Sequence, residues 1–323
     1  MPEQVPNFDN ETIAQLLLEH YGIKGEISSL VSFEDQNALI KTSEAKYVFK
    51  IANKKWSHEF LEMQTDVLVY LKSAAPELVF PIVVKTKNEQ NITYVNGFAL
   101  RLLTYLDGQL FTNTLKSPEL YQDVGRFLGQ FSKAMINYSF DVKEGSDELW
   151  KLDNVLACKV YLPEVIDQET RNRIERLYEV YEKNILPRLP NLRKAVIHGD
   201  ANEQNLLVAS DNPESILGLI DFGDMHLASQ VNDLAITLAY SLLGEDDIAM
   251  ASAKIIAGYD REFTLEDEER EILYYLMAMR LVTSITMSSH SAKLYPDNDY
   301  ILISQKPARE LLKKLEQKKY ILT

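Results

Sequence analysis

The chain has 323 residues, 46% hydrophobic, 25% charged and 10% aromatic, with 12 glycines and 11 prolines; this composition excludes disordered and fibrous proteins and leaves room for about two folding units. Lys and Arg number 34 against 48 Asp and Glu, and a net charge of −14 repels nucleic-acid phosphates and anionic membranes, so neither is expected as a partner. Cys158 is the only cysteine, which rules out an intrachain disulfide and a cysteine-based zinc site.

The amino terminus lacks the basic segment and apolar core of a secretory signal. Leu234 to Leu243 is too short to span a bilayer, and Ile272 to Met287 carries Arg280, so the expected location is cytoplasmic. In chain order, Asn10 to Tyr21 reads as a helix closed by Gly22. Strand-like runs follow at Ile27 to Phe33, Ala38 to Thr42 and Lys46 to Ile51. The third alternates, with Tyr47, Phe49 and Ile51 on one face and Val48 and Lys50 on the other. Ser57 caps a helix to about Leu71, with Gln64 in the middle of its apolar stripe. Ile82 to Lys85 and Phe98 to Leu106 complete a predicted five-stranded antiparallel sheet, and Asp107-Gly108 marks a break.

Beyond it the pattern is helical: Glu119 to Asn137, Gln168 to Ile185, Val231 to Leu243, Asp246 to Tyr259, Leu265 to Ser289 and Ser304 to Tyr320. One β element interrupts it, a strand at Ala195 to Ile197 and a hairpin of Leu206 to Ala209 and Ser215 to Ile220. Glu266 to Glu269 reads as an acidic first helical turn and Lys313, Lys314, Lys318 and Lys319 as basic last turns. A β-rich lobe followed by a larger helical lobe is the outline of a kinase.

The strongest chemical signal is His198-Gly199-Asp200-Ala201-Asn202-Glu203-Gln204-Asn205 followed by Asp221-Phe222-Gly223. Phosphoryl transfer requires an oriented nucleophile, a held metal ion and neutralised negative charge. Asp200 and Asn205 have the spacing at which an aspartate accepts the substrate hydroxyl's proton and an asparagine oxygen ligates magnesium. Asp221 supplies a second hard oxygen ligand. His198 is expected to pack the loop, and the other histidines share no ligand spacing.

With these motifs, and with Ser32-Phe33-Glu34-Asp35-Gln36-Asn37, Leu102-Leu103-Thr104-Tyr105-Leu106-Asp107-Gly108 and Gly218-Leu219-Ile220-Asp221-Phe222-Gly223-Asp224-Met225, the sequence resembles the aminoglycoside phosphotransferase and choline kinase superfamily, most of all its hydroxylysine kinase branch. The resemblance implies a two-lobed, protein-kinase-like α+β fold, with residues 1–106 as the nucleotide-binding lobe ending in the hinge and 107–323 as the helical catalytic and acceptor-binding lobe. By the same resemblance Lys50 contacts the α- and β-phosphates of ATP or GTP, and Asn205 and Asp221 hold Mg2+. Ser32 to Asn37 takes the place of the phosphate-covering loop but has no glycine, so Ser32, Gln36 and Asn37 side chains do part of its work. Leu103 and Tyr105 fall in the hinge that meets the base edge. Gln64 stands where relatives offer Lys50 a glutamate, with Glu62, on the solvent side of the wheel, as the competing candidate. Asp233 matches an aspartate that steadies the catalytic loop. Asp224 reads either as a metal- or substrate-contacting carboxylate or as a turn cap, and Arg280 either as a receptor for a substrate carboxylate or as half of an internal ion pair. The implied acceptor is a small, cationic, hydroxyl-bearing molecule such as 5-hydroxylysine or a related amino alcohol; aminoglycosides, homoserine, choline-type alcohols and a catalytically silent binding module are the alternatives.

Overall fold

The structure is a computed structural model that describes residues 4–32, 35–140, 148–296, 302 and 304–317. Two compact units emerge: Met1–Asp107 with Phe140–Gly145 and Gly218–Ile220, and the rest of the chain.

In the first unit, Asp9 caps α1 (Asn10–His20) by accepting from the Thr12 amide at 2.8 Å, and Gly22 ends it at a left-handed φ of 72°. β1 (Glu26–Leu30), β2 (Gln36–Lys41) and β3 (Lys46–Ile51) form an antiparallel meander. α2 (His58–Ala74) is capped by Ser57, and β4 (Val83–Val84), β5 (Thr93–Val95) and β6 (Phe98–Thr104) follow. The sheet order is β1-β2-β3-β6-β4, with β5 on the flank of β6. Among the described residues this sheet has six strands, one more than the sequence reading allowed. The unanticipated β5 pairs with β6 through Asn96 and Gly97, both at positive φ (50° and 80°), the turn whose twist matches a two-residue hairpin.

Alternation along the strands then sorts the side chains. Phe49 and Ile51 of β3 join Leu100 and Leu102 of β6 in a core with Ile13, Leu16 and Leu17 of α1. Each fully buried Leu, Ile or Phe contributes roughly 1.5 to 3 kcal/mol. Lys50 and its cross-strand neighbour Arg101 therefore point to the opposite face.

The second unit opens with β7 (Gln109–Leu110) and α3 (Pro118–Met135), which starts at the Ser117 cap with Pro118 at its first position. A 3₁₀ run, Leu152–Glu164, precedes α4 (Gln168–Val180), whose continuation Tyr181–Ile185 is π-helical rather than α. β8 (Lys194–Ile197), β9 (Leu206–Val208), β10 (Ile216–Leu219, its last two residues counted with the first unit) and β11 (His226–Ser229) come next, then α5 (Val231–Ser241), α6 (Ile248–Glu262), α7 (Asp267–Leu294) and α8 (Gln305–Gln317). Lys318, Lys319 and Tyr320 lie outside the described residues. Two short strands escaped the sequence reading: β7 pairs with β9, and β11 pairs with β8. β7, at two residues, is too short to establish an alternating pattern. The acidic turn before α7 is more than a dipole effect: Glu266 and Glu269 form a capping box, and the fully buried Glu269 accepts from Arg193 Nε at 2.9 Å.

α3 and α6 cross so closely that glycine is required at the contact. A β-carbon at Gly125 would lie 1.9 Å from the Ile255 carbonyl oxygen, and one at Gly258 would lie 2.0 Å from that of Gln122. Helix propensity alone favours Gly125→Ala by up to about 1 kcal/mol. Overpacking against a backbone atom that cannot rotate away costs roughly 1 to 3 kcal/mol, so the crossing decides the sign. Thermal unfolding of Gly125→Ala is expected at a lower temperature than wild type; an equal or higher midpoint would mean that the helices separate freely.

Candidate active site

β8 delivers the chain into the loop that follows Ile197, and α5 fixes the loop's backbone. The buried Asp233 carboxylate accepts from the amides of His198 and Gly199, both at 2.9 Å, and one turn later Thr237 Oγ1 donates to the Ala201 carbonyl at 2.7 Å. Burial pushes the Asp233 carboxyl up to about 6, with the two amides opposing that rise. His198 is fully buried; its ring stands edge-on to Phe222 at 4.9 Å, and its Nδ1 accepts from the Asp200 amide at 3.3 Å. Gly199 has φ 79°, and a β-carbon there would sit 2.3 Å from the Asp224 carbonyl oxygen, which excludes a side chain on both counts.

The loop presents Asp200 with both carboxylate oxygens engaged. Oδ1 accepts from Arg280 Nη2 at 2.8 Å, and Oδ2 accepts from Asn202 Nδ2 at 2.8 Å and Asn205 Nδ2 at 3.1 Å. The Asp200 side chain keeps 22% of its exposure while Arg280 keeps 4%. Burial raises the Asp200 carboxyl to about 6, opposed by the Arg280 charge and the Asn202 bond and reinforced by Asp221 and Glu203. Arg280 is thus half of an internal ion pair. Its Nη1 donates to the Trp150 carbonyl at 2.9 Å, and the guanidinium lies 5.3 Å from the rings of both Trp150 and Tyr240.

Asn205 Nδ2 donates to the Asp200 carbonyl at 2.9 Å and to the Asp200 carboxylate at 3.1 Å, bonds in which its amide oxygen takes no part. Asp221 is exposed and holds a left-handed backbone (φ 60°, ψ 75°), a conformation that costs a non-glycine residue of order 1 to 3 kcal/mol and recurs at functional sites. Asp224 is half-buried, and its carbonyl meets His226 Nδ1 at 2.7 Å. Among the described residues no three His, Cys, Asp or Glu side chains gather as a preformed metal cage. An amide oxygen and one carboxylate, Asn205 and Asp221, suit a hard ion that keeps water and phosphate oxygens as its other ligands.

In the first unit, Lys50 is half-buried between Asn37 and Arg101 in cross-strand register. Gln64 is buried and Glu62 exposed, and Gln64 Oε1 accepts from the buried Arg101 Nη1 at 2.6 Å. Gln36 opens β2, and its amide bonds at both ends to the Phe8 backbone, at 2.6 and 2.8 Å, tying the lead-in of α1 to that strand. Phe33 and Glu34 of that loop lie outside the described residues; Ser32 is half-buried, as is Asn37. Leu103 pairs with Val48 and Val83, while the Tyr105 amide donates to the Lys46 carbonyl at 3.0 Å. The sequence reading missed Arg101, Asn202, Glu203 and Thr237. Of these, only Asn202 and Glu203 stood inside a motif already singled out.

A β-rich unit with a half-buried lysine on its third strand and a helical unit with an Asp–Asn loop ahead of Asp-Phe-Gly define a kinase-like phosphotransferase. Residues 26–272 match the model of the phosphotransferase enzyme family, and the chain belongs to that family, whose members make it a small-molecule kinase acting on a hydroxyl group. It is 32% identical to the hydroxylysine kinase of Xenopus laevis over 93% of this chain and 88% of that protein, and 27% identical to the hydroxylysine kinase of Mus musculus over 96% and 90%. Its fold is similar to that of amicoumacin kinase hAmiN in complex with AMP-PNP, Ca2+ and Ami, with a TM-score of 0.71 at 15% identity over 95% and 94% of the two chains. A microcompartment-associated aminopropanol kinase has a TM-score of 0.69 at 16% identity, covering 97% and 99%. Among the described residues no helix is long and apolar enough to cross a membrane.

Proposed function

We propose that the protein transfers the γ-phosphoryl group of ATP or GTP to the hydroxyl of an amino alcohol or hydroxy amino acid, with 5-hydroxylysine as the leading acceptor. Residues 1–106 serve the nucleotide and residues 107–323 the acceptor and the chemistry. The observation that carries the reaction is the state of Asp200. A carboxylate offers about four acceptor sites; Arg280, Asn202 and Asn205 take three, and the remaining one is available to an incoming hydroxyl.

Asp200 accepts the hydroxyl proton as the acceptor oxygen bonds to the γ-phosphorus and the bond from phosphorus to the β-phosphate bridging oxygen breaks, releasing the nucleoside diphosphate. Lys50 and Arg101, on one sheet face, put positive charge where the α- and β-phosphates are expected, with Asn37 in register beside Lys50 and Ser32 as a further donor. The Leu103 to Tyr105 backbone meets the base edge. Asn205 and Asp221 hold Mg2+, which when bound draws negative charge from the phosphate oxygens. Asp224 remains a candidate for contact with metal or acceptor.

The acceptor class is supported by the similarity to hydroxylysine kinases over nearly the full chain and by a net charge of −14, which favours cations. In a panel of amino alcohols, aminoglycosides, homoserine, choline and neutral sugars, each with ATP and GTP, the largest nucleoside diphosphate release is expected with 5-hydroxylysine or a close amino alcohol. A clear preference for a neutral sugar, with amino alcohols inert, would overturn the acceptor and leave the phosphotransferase standing.

A further inference from the structure

Three residues beyond Asp200, Glu203 places a carboxylate in the same loop, its backbone fixed where its carbonyl accepts from the Thr112 amide at 2.9 Å. Its Oε2 is buried and has no hydrogen-bond partner among the described residues. That differs from the neighbouring acids. Asp233 is satisfied by two amides and Asp200 by Arg280 and two asparagines. The cations that face Glu203 are engaged elsewhere: Lys116 is paired with Glu245 at 3.6 Å and lies over the Phe111 ring, and Arg280 is paired with Asp200. Glu203 and Asp200 belong to one loop, and the charge of Glu203 helps to raise the Asp200 carboxyl and the Tyr240 hydroxyl, a smaller cause than burial.

A buried carboxylate oxygen without a donor is destabilising. A ligand cation would offset that cost, and an ammonium on the carbon next to the reacting hydroxyl would lie beside Asp200 and so within the loop's compass. We propose that Glu203 receives the ammonium vicinal to the acceptor hydroxyl, so that Asp200 and Glu203 together read a 1,2-amino alcohol; this rests on the acceptor class given above. The CH(OH)–CH2–NH3+ end of 5-hydroxylysine has this arrangement. The selectivity is then built into the catalytic loop itself.

The test uses a matched pair of acceptors, 5-hydroxylysine and 2-amino-5-hydroxyhexanoic acid, which lacks only the terminal ammonium. For Glu203→Gln the ratio of kcat/KM for the cationic over the neutral acceptor is expected to fall about 10- to 100-fold, mainly through KM, as loss of a hydrogen bond to a charged group implies. Glu203→Asp, which keeps the charge but retracts it by one methylene, is expected to fall less, and it decides the matter if the glutamine variant does not fold. An unchanged ratio, or an equal loss for both acceptors, would overturn the proposal and make Glu203 a support for the loop. Failure of the acceptor class itself would be visible without any variant, as a wild-type enzyme that does not prefer the cationic member.

Discussion

Asp200→Asn is expected to turn over roughly 10² to 10⁴-fold more slowly than wild type, the usual contribution of a positioned general base. The substitution keeps the shape of the side chain and an oxygen for Arg280, but it puts an NH2 group where the Asn202 and Asn205 amides donate at 2.8 and 3.1 Å. Either the new amide flips, placing donor against Arg280, or the two asparagines must turn. Both outcomes leave the acceptor hydroxyl without an anionic site for its proton. The nucleotide contacts proposed for Lys50 and the hinge are untouched, so affinity for a non-hydrolysable nucleotide should change little. Steady-state turnover and calorimetric titration of the same preparation check the two halves. Near-normal turnover would remove Asp200 from the proposed role, whereas a parallel loss of nucleotide affinity would show that Asn205 had moved with it.

How much of this was legible beforehand follows from the range of the interactions. Spacing within a loop is local, so Asp200, Asn205 and Asp221 could be singled out from one short stretch, and strand alternation put Lys50 opposite Phe49 and Ile51 before any coordinates. The partner of Asp200 could not be read that way. Arg280 comes 80 positions later, from the middle of a 28-residue helix whose pattern shows only that a charge is buried there. Arg101 was hidden for the opposite reason, standing in a run read as hinge and strand, with nothing local to single it out. The bonds that hold Gln36 were equally out of local reach, since the Phe8 backbone lies 28 positions away across α1. The Asn96-Gly97 turn, by contrast, was a local signal passed over.

Asp221 tests the metal independently of the base. Alanine there would remove the carboxylate but also leave a residue with a β-carbon and no polar side chain at φ 60°, where L-residues are disfavoured by roughly 1 to 2 kcal/mol. Asp221→Ala alone would therefore mix loss of a ligand with a shift of the backbone. Asn is among the few residues that visit this region readily, so Asp221→Asn separates the two effects. In both variants the gain in nucleotide affinity that magnesium confers is expected to fall by about 100-fold or more, because even groups that only orient metal ligands contribute about 10- to 100-fold. Affinity measured with the ion chelated should stay near the wild-type value in Asp221→Asn, since Lys50, Arg101 and the hinge are unaltered. If Asp221→Asn keeps the full magnesium dependence while Asp221→Ala loses it, the left-handed backbone and not the carboxylate is what that position supplies. Unchanged dependence in both variants would take the ion away from Asp221 and leave Asp224, three residues on and half-buried, as the carboxylate to test next.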